Sequence, residues 1–309
     1  MGPEMDTTDT FIQADIPVQP VEDPLLEESG IRLSVLRLDL LHPVISGNKW
    51  FKLKHNLAAA RRQGKNTILS FGGPWSNHLH ALSVAGKNLG FKTIGVVRGT
   101  LPEPLTACLA DARDAGMELV GVSRADYREK TTSAFITRLR ERYGDFYLVP
   151  EGGANLEGVQ GCAEIPALYQ DNSRQENFDL VCMACGTGTM LTGLSLTSQV
   201  PLLGVQVLKG EGYLAREVES ALNRYQLKAS CPWHIVDDWH LGGYAKVSPE
   251  LMVFLTEFEQ RHGIPLEPVY SGKLMYGLFT AIKKRDFFPQ NSSILVIHGG
   301  GLQGLRGYI

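Results

Sequence analysis

The sequence lacks an apolar run long enough to cross a membrane, and it lacks any block of basic residues. No apolar stretch approaches the roughly 20 residues that a membrane-spanning helix requires. The 30 basic residues are balanced by 33 acidic ones, which gives a formal net charge of −3. Such a chain offers little attraction to nucleic acid or anionic lipid, so neither is expected as a partner. The segment Met1 to Asp15 is acidic and polar, unlike a signal peptide, and is expected to be a frayed leader.

Cysteine is also scarce. The five cysteines are Cys108, Cys162, Cys182, Cys185 and Cys231. An odd, scattered set in a chain of 309 residues argues against a disulfide framework and for a reducing compartment, so a cytoplasmic protein is expected. Cys182 and Cys185 have the spacing of a redox or zinc motif, but no second Cys/His pair accompanies them and they lie in an apolar run. We therefore predict buried core cysteines and no metal site.

Short β-branched runs alternate with helical stretches from residue 64 onward. Strands are predicted at Thr67–Phe71, Thr93–Arg98, Glu118–Val122, Phe146–Val149, Leu180–Ala184, Leu202–Val207, His234–Val236 and Ile294–His298. Helices are predicted at Asn77–Leu89, Leu105–Ala115, Ser133–Tyr143, Gly188–Thr197, Leu214–Arg224, Pro249–His262 and Lys273–Lys284. Several strands are continuous apolar runs, which is typical of parallel strands covered on both faces. The alternation predicts an α/β fold with a mostly parallel sheet.

Glycine-rich segments follow four of the predicted strands. They are Gly72-Gly73, Gly152-Gly153, Gly186 to Thr189, and Gly299 to Gly301. In open parallel sheets ligands gather at the carboxyl ends of the strands, so these are the places to look for a site. The segment Pro150–Gly161 is also a candidate crossing between two domains that are discontinuous in sequence. The predicted division is a large domain of residues 1–55 and 150–309 and a small domain of residues 56–149.

The segment from Gly186 through Thr187, Gly188 and Thr189 to Met190 combines glycines with threonine hydroxyls at a predicted helix start. Free N–H groups and the helix dipole make such a turn an anion seat, most often for phosphate. The segment lacks the Lys-Ser/Thr ending of a nucleotide-binding loop. An ordinary tight strand-to-helix turn would look the same, and this motif alone leaves both interpretations open.

Lys49 stands at a predicted helix start, behind Gly47-Asn48 and beside Trp50-Phe51. A lysine packed among apolar groups loses hydration, its pKa falls, and its neutral amine becomes a nucleophile toward carbonyls. Lys52 and Lys54 lie close by in the same stretch, and composition does not choose among the three.

Three other sets of polar residues are candidates for chemistry. Ser76, Asn77 and His78 follow Trp75 at the start of a predicted helix, where Ser or Asn can simply serve as a cap. Tyr244 and Tyr270 each lie at a glycine-punctuated turn, where tyrosines are commonly half-buried with a satisfied hydroxyl. No nucleophile-elbow pattern is present, so a hydrolase triad is unsupported.

Taken in order, these segments resemble a family of pyridoxal phosphate (PLP) enzymes. The matching motifs are Arg37-Leu-Asp39, Gly47-Asn-Lys49, Ser76-Asn-His78, Pro150-Glu-Gly-Gly153, Thr187-Gly-Thr189, Pro268-Val-Tyr-Ser-Gly-Lys273 and His298-Gly-Gly300. The family is that of 1-aminocyclopropane-1-carboxylate (ACC) deaminase and D-cysteine desulfhydrase, within the tryptophan-synthase-β-like group of fold type II. The resemblance spans most of the chain and implies two open, twisted, mostly parallel sheets flanked by helices.

The resemblance also implies roles. Lys49 would form the Schiff base with PLP and shuttle a proton at the substrate α carbon, Asn77 would bind the ring hydroxyl, and Gly186–Met190 would hold the phosphate. Ser76 would contact the carboxylate of a small amino-acid substrate or act as an acid, base or nucleophile, with Asn77 and His78 on the same wall. Tyr244 and Tyr270 would assist proton transfer or departure of the leaving group. A homodimer is implied as well.

Departures from the family pattern bear on the substrate. Deaminases carry glutamate at the pyridine nitrogen, where this chain has Ser271, and they carry glutamine in place of His78. Both differences favour β-elimination from D-cysteine over opening of the ACC ring. Trp75 beside Ser76 is expected to narrow the substrate pocket. The closing Gly-Gly-x-Pro-Ala-Leu pattern is replaced by Gly300 to Leu305 with Gln303 in it. ACC deaminase is the second hypothesis, and a binding protein that keeps the fold without the chemistry is the third.

Overall fold

The computed structural model describes residues 15–170 and 177–308. The predicted leader therefore lies outside the described residues, apart from Asp15. The strands are β1 (Val18–Val21), β2 (Arg32–Leu36), β3 (Thr67–Gly72), β4 (Lys92–Arg98), β5 (Glu118–Val122), β6 (Tyr147–Val149), β7 (Leu180–Cys185), β8 (Leu202–Gln206), β9 (Trp233–Val236) and β10 (Ser293–Ile297). The helices are α1 (Pro24–Ser29), α2 (Asn48–Arg62), α3 (Asn77–Leu89), α4 (Ala107–Asp114), α5 (Arg124–Arg128), α6 (Ser133–Tyr143), α7 (Leu156–Cys162), α8 (Thr189–Ser195), α9 (Tyr213–Arg224), α10 (Pro249–His262) and α11 (Ser271–Lys284).

The strands form two sheets. The larger has six strands in the order β1-β2-β10-β7-β8-β9, and the smaller has four in the order β5-β4-β3-β6. All pairings are parallel except that of β1 with β2, which is antiparallel at the sheet edge. The predicted fold, two mostly parallel sheets flanked by helices, is confirmed.

One apolar cluster joins the two sheets, because it contains Leu53 of α2, Leu191 of α8 and Leu295 of the larger sheet together with Val97 of the smaller. A second cluster packs α10 and α11 onto the far face of the larger sheet. A third covers the outer face of the smaller sheet with α6. Because the shared cluster lies between the sheets, loops from both sheets meet above it.

The eight predicted strands are all present, with no end shifted by more than one residue. Strands β1 and β2 were not predicted from the sequence. Pro20 interrupts β1, and proline is tolerated there only because the strand lies at the edge. The short helices α1, α5 and α7 were also missed, and α7 falls in the segment Pro150–Gly161 that was read only as a crossing. Helix α2 runs across the predicted domain boundary at residues 55 and 56, and the two boundaries stay a prediction.

The five cysteines are buried and unpaired, as predicted for core cysteines. Within the described ranges, no three His, Cys, Asp or Glu side chains are grouped so as to hold a metal ion. In those same ranges no helix has the length and apolar character needed to span a membrane.

Candidate active site

The four glycine-rich segments that follow β3, β6, β7 and β10 meet at the junction of the sheets. A Cβ added at Gly152 would lie 3.0 Å from Thr187 Cγ2, and one at Gly153 would lie 3.6 Å from His78 Cε1. A Cβ at Gly301 would lie 2.6 Å from Asn77 Nδ2. The carboxyl ends of strands from both sheets therefore face one another, as the sequence predicted, and the candidate site lies between them.

Lys49 reaches this junction because α2 begins there. Gly47 precedes the helix with φ +69° and ψ −150°, a conformation open essentially to glycine alone. A Cβ at Gly47 would lie 1.9 Å from the carbonyl oxygen of Gly299, so the two backbones touch. The Asn48 N–H donates to that same oxygen at 3.2 Å. The close approach fixes the start of α2 against the loop after β10.

A buried ion pair supports this contact from below. Arg37 donates to both carboxylate oxygens of Asp39, at 2.9 and 2.7 Å. The imidazole of His298 lies 3.7 Å from Asp39 and bonds the Pro265 carbonyl at 2.7 Å. The motifs Arg37-Leu-Asp39 and His298-Gly-Gly300, which carry part of the family resemblance, therefore have a structural role in the site. They hold the loop after β10 that contacts Gly47.

The Lys49 ammonium nitrogen lies 2.5 Å from Asn48 Oδ1, and the Asn48 amide also donates to Met190 Sδ at 3.4 Å. Burial, followed by the nearby charge of Lys52, lowers the pKa of Lys49 to about 7. A substantial fraction of the amine is therefore neutral near pH 7, as a nucleophile toward an aldehyde requires.

The other two lysines of the stretch separate clearly. Lys54 pairs with Glu164 outside the site. Lys52 is buried with 6% of its surface exposed, and burial lowers its pKa. Among the described residues no carboxylate forms an ion pair with Lys52. Lys49 and Lys52 share a helix face because they are three residues apart, and this spacing is a signal that could have selected Lys52 from the sequence.

The predicted anion seat forms the floor of the site. β7 ends at Cys185, Gly188 caps α8 with φ +76°, and the hydroxyls of Thr187 and Thr189 lie 2.9 Å apart. Gly186 lies against the ring of Tyr270, since a Cβ there would lie 3.3 Å from Cε1 of Tyr270. The loop thus joins free helix-start N–H groups to two hydroxyls, beneath an aromatic ring.

On the facing wall, Ser76 is the N-cap of α3, and its hydroxyl oxygen accepts from the Leu79 N–H at 3.2 Å. The capping interpretation is therefore confirmed, and it leaves the hydroxyl proton available. His78 is buried, and its Nε2 bonds the Ser70 hydroxyl at 2.9 Å, while its Nδ1 has no hydrogen-bond partner in the described part of the chain. Burial and the charges of the two site lysines lower the pKa of His78 to about 3, so the ring is neutral.

Tyr244 and Tyr270 lie against each other in the structure. Their ring centroids lie 6.3 Å apart in an edge-to-face arrangement. Burial raises the pKa of both phenols, that of Tyr270 well above its usual value. Both phenols keep their protons near neutral pH.

Glu267, a carboxylate with 2% of its surface exposed, was not predicted from the sequence. It accepts from the backbone N–H groups of Val269, Tyr270 and Ser271, at 2.7 to 2.8 Å. Its Oε1 also lies 3.2 Å from the Ser271 hydroxyl. Burial raises the pKa of Glu267, although the three backbone donors oppose that shift. Its spacing of four residues before the start of α11 resembles ordinary loop sequence, and only folding turns the side chain back onto Ser271.

Trp75 lies beside Ser76, and its indole packs on the C-terminal 3₁₀ segment, Leu302–Gly307. A Cβ at Gly307 would lie 2.9 Å from the indole ring. Contact of Trp75 with a substrate stays a prediction.

These features fit PLP. The neutral amine of Lys49 suits an aldehyde. The loop from Gly186 to Met190 suits a phosphate, as does the buried side chain of Lys52, which has no carboxylate partner among the described residues. Residues 14–300 match the family described as "Pyridoxal-phosphate dependent enzyme", and the chain belongs to that family. It is a PLP-dependent lyase of fold type II.

Within that class, the relatives point to the ACC deaminase and D-cysteine desulfhydrase group. A Thermotoga maritima protein provisionally named 1-aminocyclopropane-1-carboxylate deaminase is 32% identical, over 91% of this chain and 92% of its own length. A bifunctional D-cysteine desulfhydrase/1-aminocyclopropane-1-carboxylate deaminase of Arabidopsis thaliana mitochondria is 30% identical, over 90% of this chain and 74% of its own. A crystal structure of an ACC deaminase homologue superposes with a TM-score of 0.82 at 26% identity, covering 100% of this chain and 98% of that one.

Proposed function

We propose that this lyase removes a β leaving group from a small D-amino acid and that D-cysteine is its preferred substrate. D-Cysteine and water would give pyruvate, sulfide and ammonia. The bound PLP supplies an electron sink for the carbanion formed at the α carbon. The side chains of the site then have to bind the substrate, orient it, and hold or move protons.

The observation that carries this proposal is the hydroxyl of Ser271 at the start of α11, in the position where the resemblance places the glutamate of deaminases. That hydroxyl accepts from the Glu267 N–H at 3.0 Å and is buried. A hydroxyl is a far weaker acid than a carboxyl group and leaves the pyridine nitrogen largely unprotonated. Expulsion of a thiol needs less stabilisation at the ring than opening of a cyclopropane, so Ser271 favours elimination.

The roles of the other residues follow from their protonation and position. We assign removal of the substrate's α proton to the Lys49 amine, which is neutral near pH 7. The Ser76 hydroxyl, whose oxygen already accepts from α3, donates its proton to the substrate carboxylate. The neutral ring of His78 and the indole of Trp75 form part of the same wall of the site. The protonated Tyr270, paired with Tyr244, stands ready to give a proton to the departing sulfur.

The remaining assignments concern the cofactor. Asn77 would bind the ring hydroxyl, Ser271 would be the residue at the ring nitrogen, and the loop Gly186–Met190 would hold the phosphate. Lys52 would also bind the phosphate, because its buried side chain has no carboxylate partner among the described residues.

ACC deaminase activity is the second candidate, and the buried carboxylate of Glu267 favours it. This carboxylate lies 3.2 Å from the Ser271 hydroxyl, and burial raises its pKa. By accepting the hydroxyl proton of Ser271, this carboxylate would make the Ser271 oxygen a stronger hydrogen-bond partner for the ring nitrogen.

The test is incubation of the PLP-loaded protein with D-cysteine, L-cysteine, β-chloro-D-alanine and ACC, with keto acid and sulfide measured separately. We expect equal amounts of pyruvate and sulfide from D-cysteine and much less from L-cysteine. The Lys49→Ala variant, treated identically, measures the background from free PLP and thiol. Absence of keto acid and sulfide from every thiol substrate would refute the proposal, and 2-oxobutyrate from ACC without sulfide would establish the second candidate.

We also propose that the protein acts as a cytoplasmic homodimer, which the family resemblance and the scarcity of cysteine support. Sedimentation velocity of the PLP-loaded protein should give twice the chain mass of 34.0 kDa, and a monomer at micromolar concentration would contradict the proposal.

A further inference from the structure

The C-terminal 3₁₀ segment brings one amide onto a residue of the site. Gln303 Nε2 donates to Asn77 Oδ1 at 2.9 Å, although 226 residues separate the two in sequence. Gly301, with φ +91°, closes the turn on the other side, since a Cβ there would lie 2.6 Å from Asn77 Nδ2. The Asn77 side chain is therefore enclosed between a donor and a backbone turn.

The contact with Gln303 decides which way the Asn77 amide faces. A carboxamide has one accepting oxygen and one NH₂ group that can only donate. With the oxygen engaged by Gln303, the NH₂ group is what Asn77 has left to offer a ligand. The ionised ring oxygen of PLP is an acceptor, so it needs this NH₂ group and would be repelled by the oxygen. Donation to Oδ1 also polarises the amide and strengthens the NH₂ group as a donor.

We propose that Gln303 is a positioning residue that fixes the Asn77 amide with its NH₂ group free for the ring oxygen of PLP. The proposal rests on the assignment of Asn77 to that oxygen. Gln303 stands where the family pattern has proline, whose side chain has no donor. This chain therefore supplies at that position a hydrogen bond that proline cannot make.

The same segment has a second anchor that does not touch Asn77. Arg306 pairs with Asp111 of α4, which also bonds His80 Nε2 at 3.1 Å. Arg306 contacts Gln303 only at the carbonyl oxygen, at 3.2 Å. Arg306→Ala is therefore a matched control, because it loosens the segment and leaves the carboxamide of Gln303 intact.

The experiment uses apoprotein of the wild type and of Gln303→Ala, Gln303→Glu and Arg306→Ala, titrated with PLP in the absence of substrate. The readouts are the Kd for PLP, the pH midpoint of the visible absorption band, and the thermal unfolding of each apoprotein. Because no substrate is present, the outcome does not depend on whether D-cysteine is turned over.

We expect Gln303→Ala to weaken PLP binding about 2–10-fold, the effect of one neutral hydrogen bond. Gln303→Glu should weaken it further, because a carboxylate accepts only and turns the NH₂ group of Asn77 toward itself. In both variants the pH midpoint of the visible absorption band should rise. Without the NH₂ group of Asn77 as a donor, the ring oxygen of PLP carries more negative charge, and a proton next to it is held more tightly. Arg306→Ala should bind PLP as the wild type does, with an unchanged midpoint.

Three results would overturn the proposal. The first is a wild-type Kd and midpoint in both Gln303 variants. The second is an Arg306→Ala protein that matches Gln303→Ala, which would mean that docking of the segment is what matters. The third is a loss of apoprotein stability in both Gln303 variants with an unchanged band midpoint, which would make Gln303 a structural residue only.

Discussion

Gly47→Ala tests whether the contact between the start of α2 and the loop after β10 holds the site together. Gly47 has φ +69° and ψ −150°, where a residue with a side chain costs about 1–3 kcal/mol. The added Cβ would also lie 1.9 Å from the Gly299 carbonyl oxygen, which belongs to backbone and cannot rotate away. Overpacking of that kind costs about a further 1–3 kcal/mol. The sum is a loss of about 2–6 kcal/mol in the free energy of unfolding.

The matched control is Gly90→Ala at the end of α3. Gly90 has φ +76° and ψ +21°, and an added Cβ there would meet nothing within 4 Å. Its cost is the left-handed conformation alone, about 1–2 kcal/mol. Urea unfolding of both apoproteins measures the difference, and a PLP titration shows whether Gly47→Ala also loses cofactor, since Lys49 follows Gly47 by two residues. Equal destabilisation by the two variants, with PLP affinity retained in Gly47→Ala, would refute the reasoning.

Four further predictions concern the charged groups of the site. Lys52→Met should weaken PLP binding about 10–100-fold, the effect of losing a charged hydrogen bond, whereas Lys54→Met should leave it unchanged in the same titration. Because the pKa of Lys49 is lowered to about 7, PLP capture by the apoprotein should accelerate through about pH 7 and then level off; acceleration that continues to pH 10 would contradict this. Apoprotein stability should rise with pH above about 7, since the unfolded chain then binds a proton that the folded Lys49 lacks. Ser271→Glu should lower the unfolding temperature, because it adds a second carboxylate beside Glu267. The double variant Ser271→Glu/Glu267→Gln should recover part of the lost unfolding temperature. A Ser271→Glu protein as stable as the wild type would contradict a buried, ionised Glu267 next to residue 271.

The elements that were predicted well share a local signal. The strands from β3 onward are short apolar runs with breaks between them, and such runs are stabilised by burial in almost any parallel sheet. The missed strands β1 and β2 have weaker patterns, and they form because β10 offers β2 a partner from the other end of the chain. Pairing over such a distance leaves no trace in a local pattern.

The sequence by itself determined the class of fold and the glycine-rich ends of four strands, and through the ordered motifs it predicts Lys49 as the lysine that binds PLP. Each of these depends on residue type and near neighbours, which the sequence displays directly. Only the tertiary structure turned Glu267 back onto Ser271 and brought Gln303 to Asn77 across 226 residues. Those contacts depend on where loops meet after two sheets have packed, and the packing is set by the whole core at once.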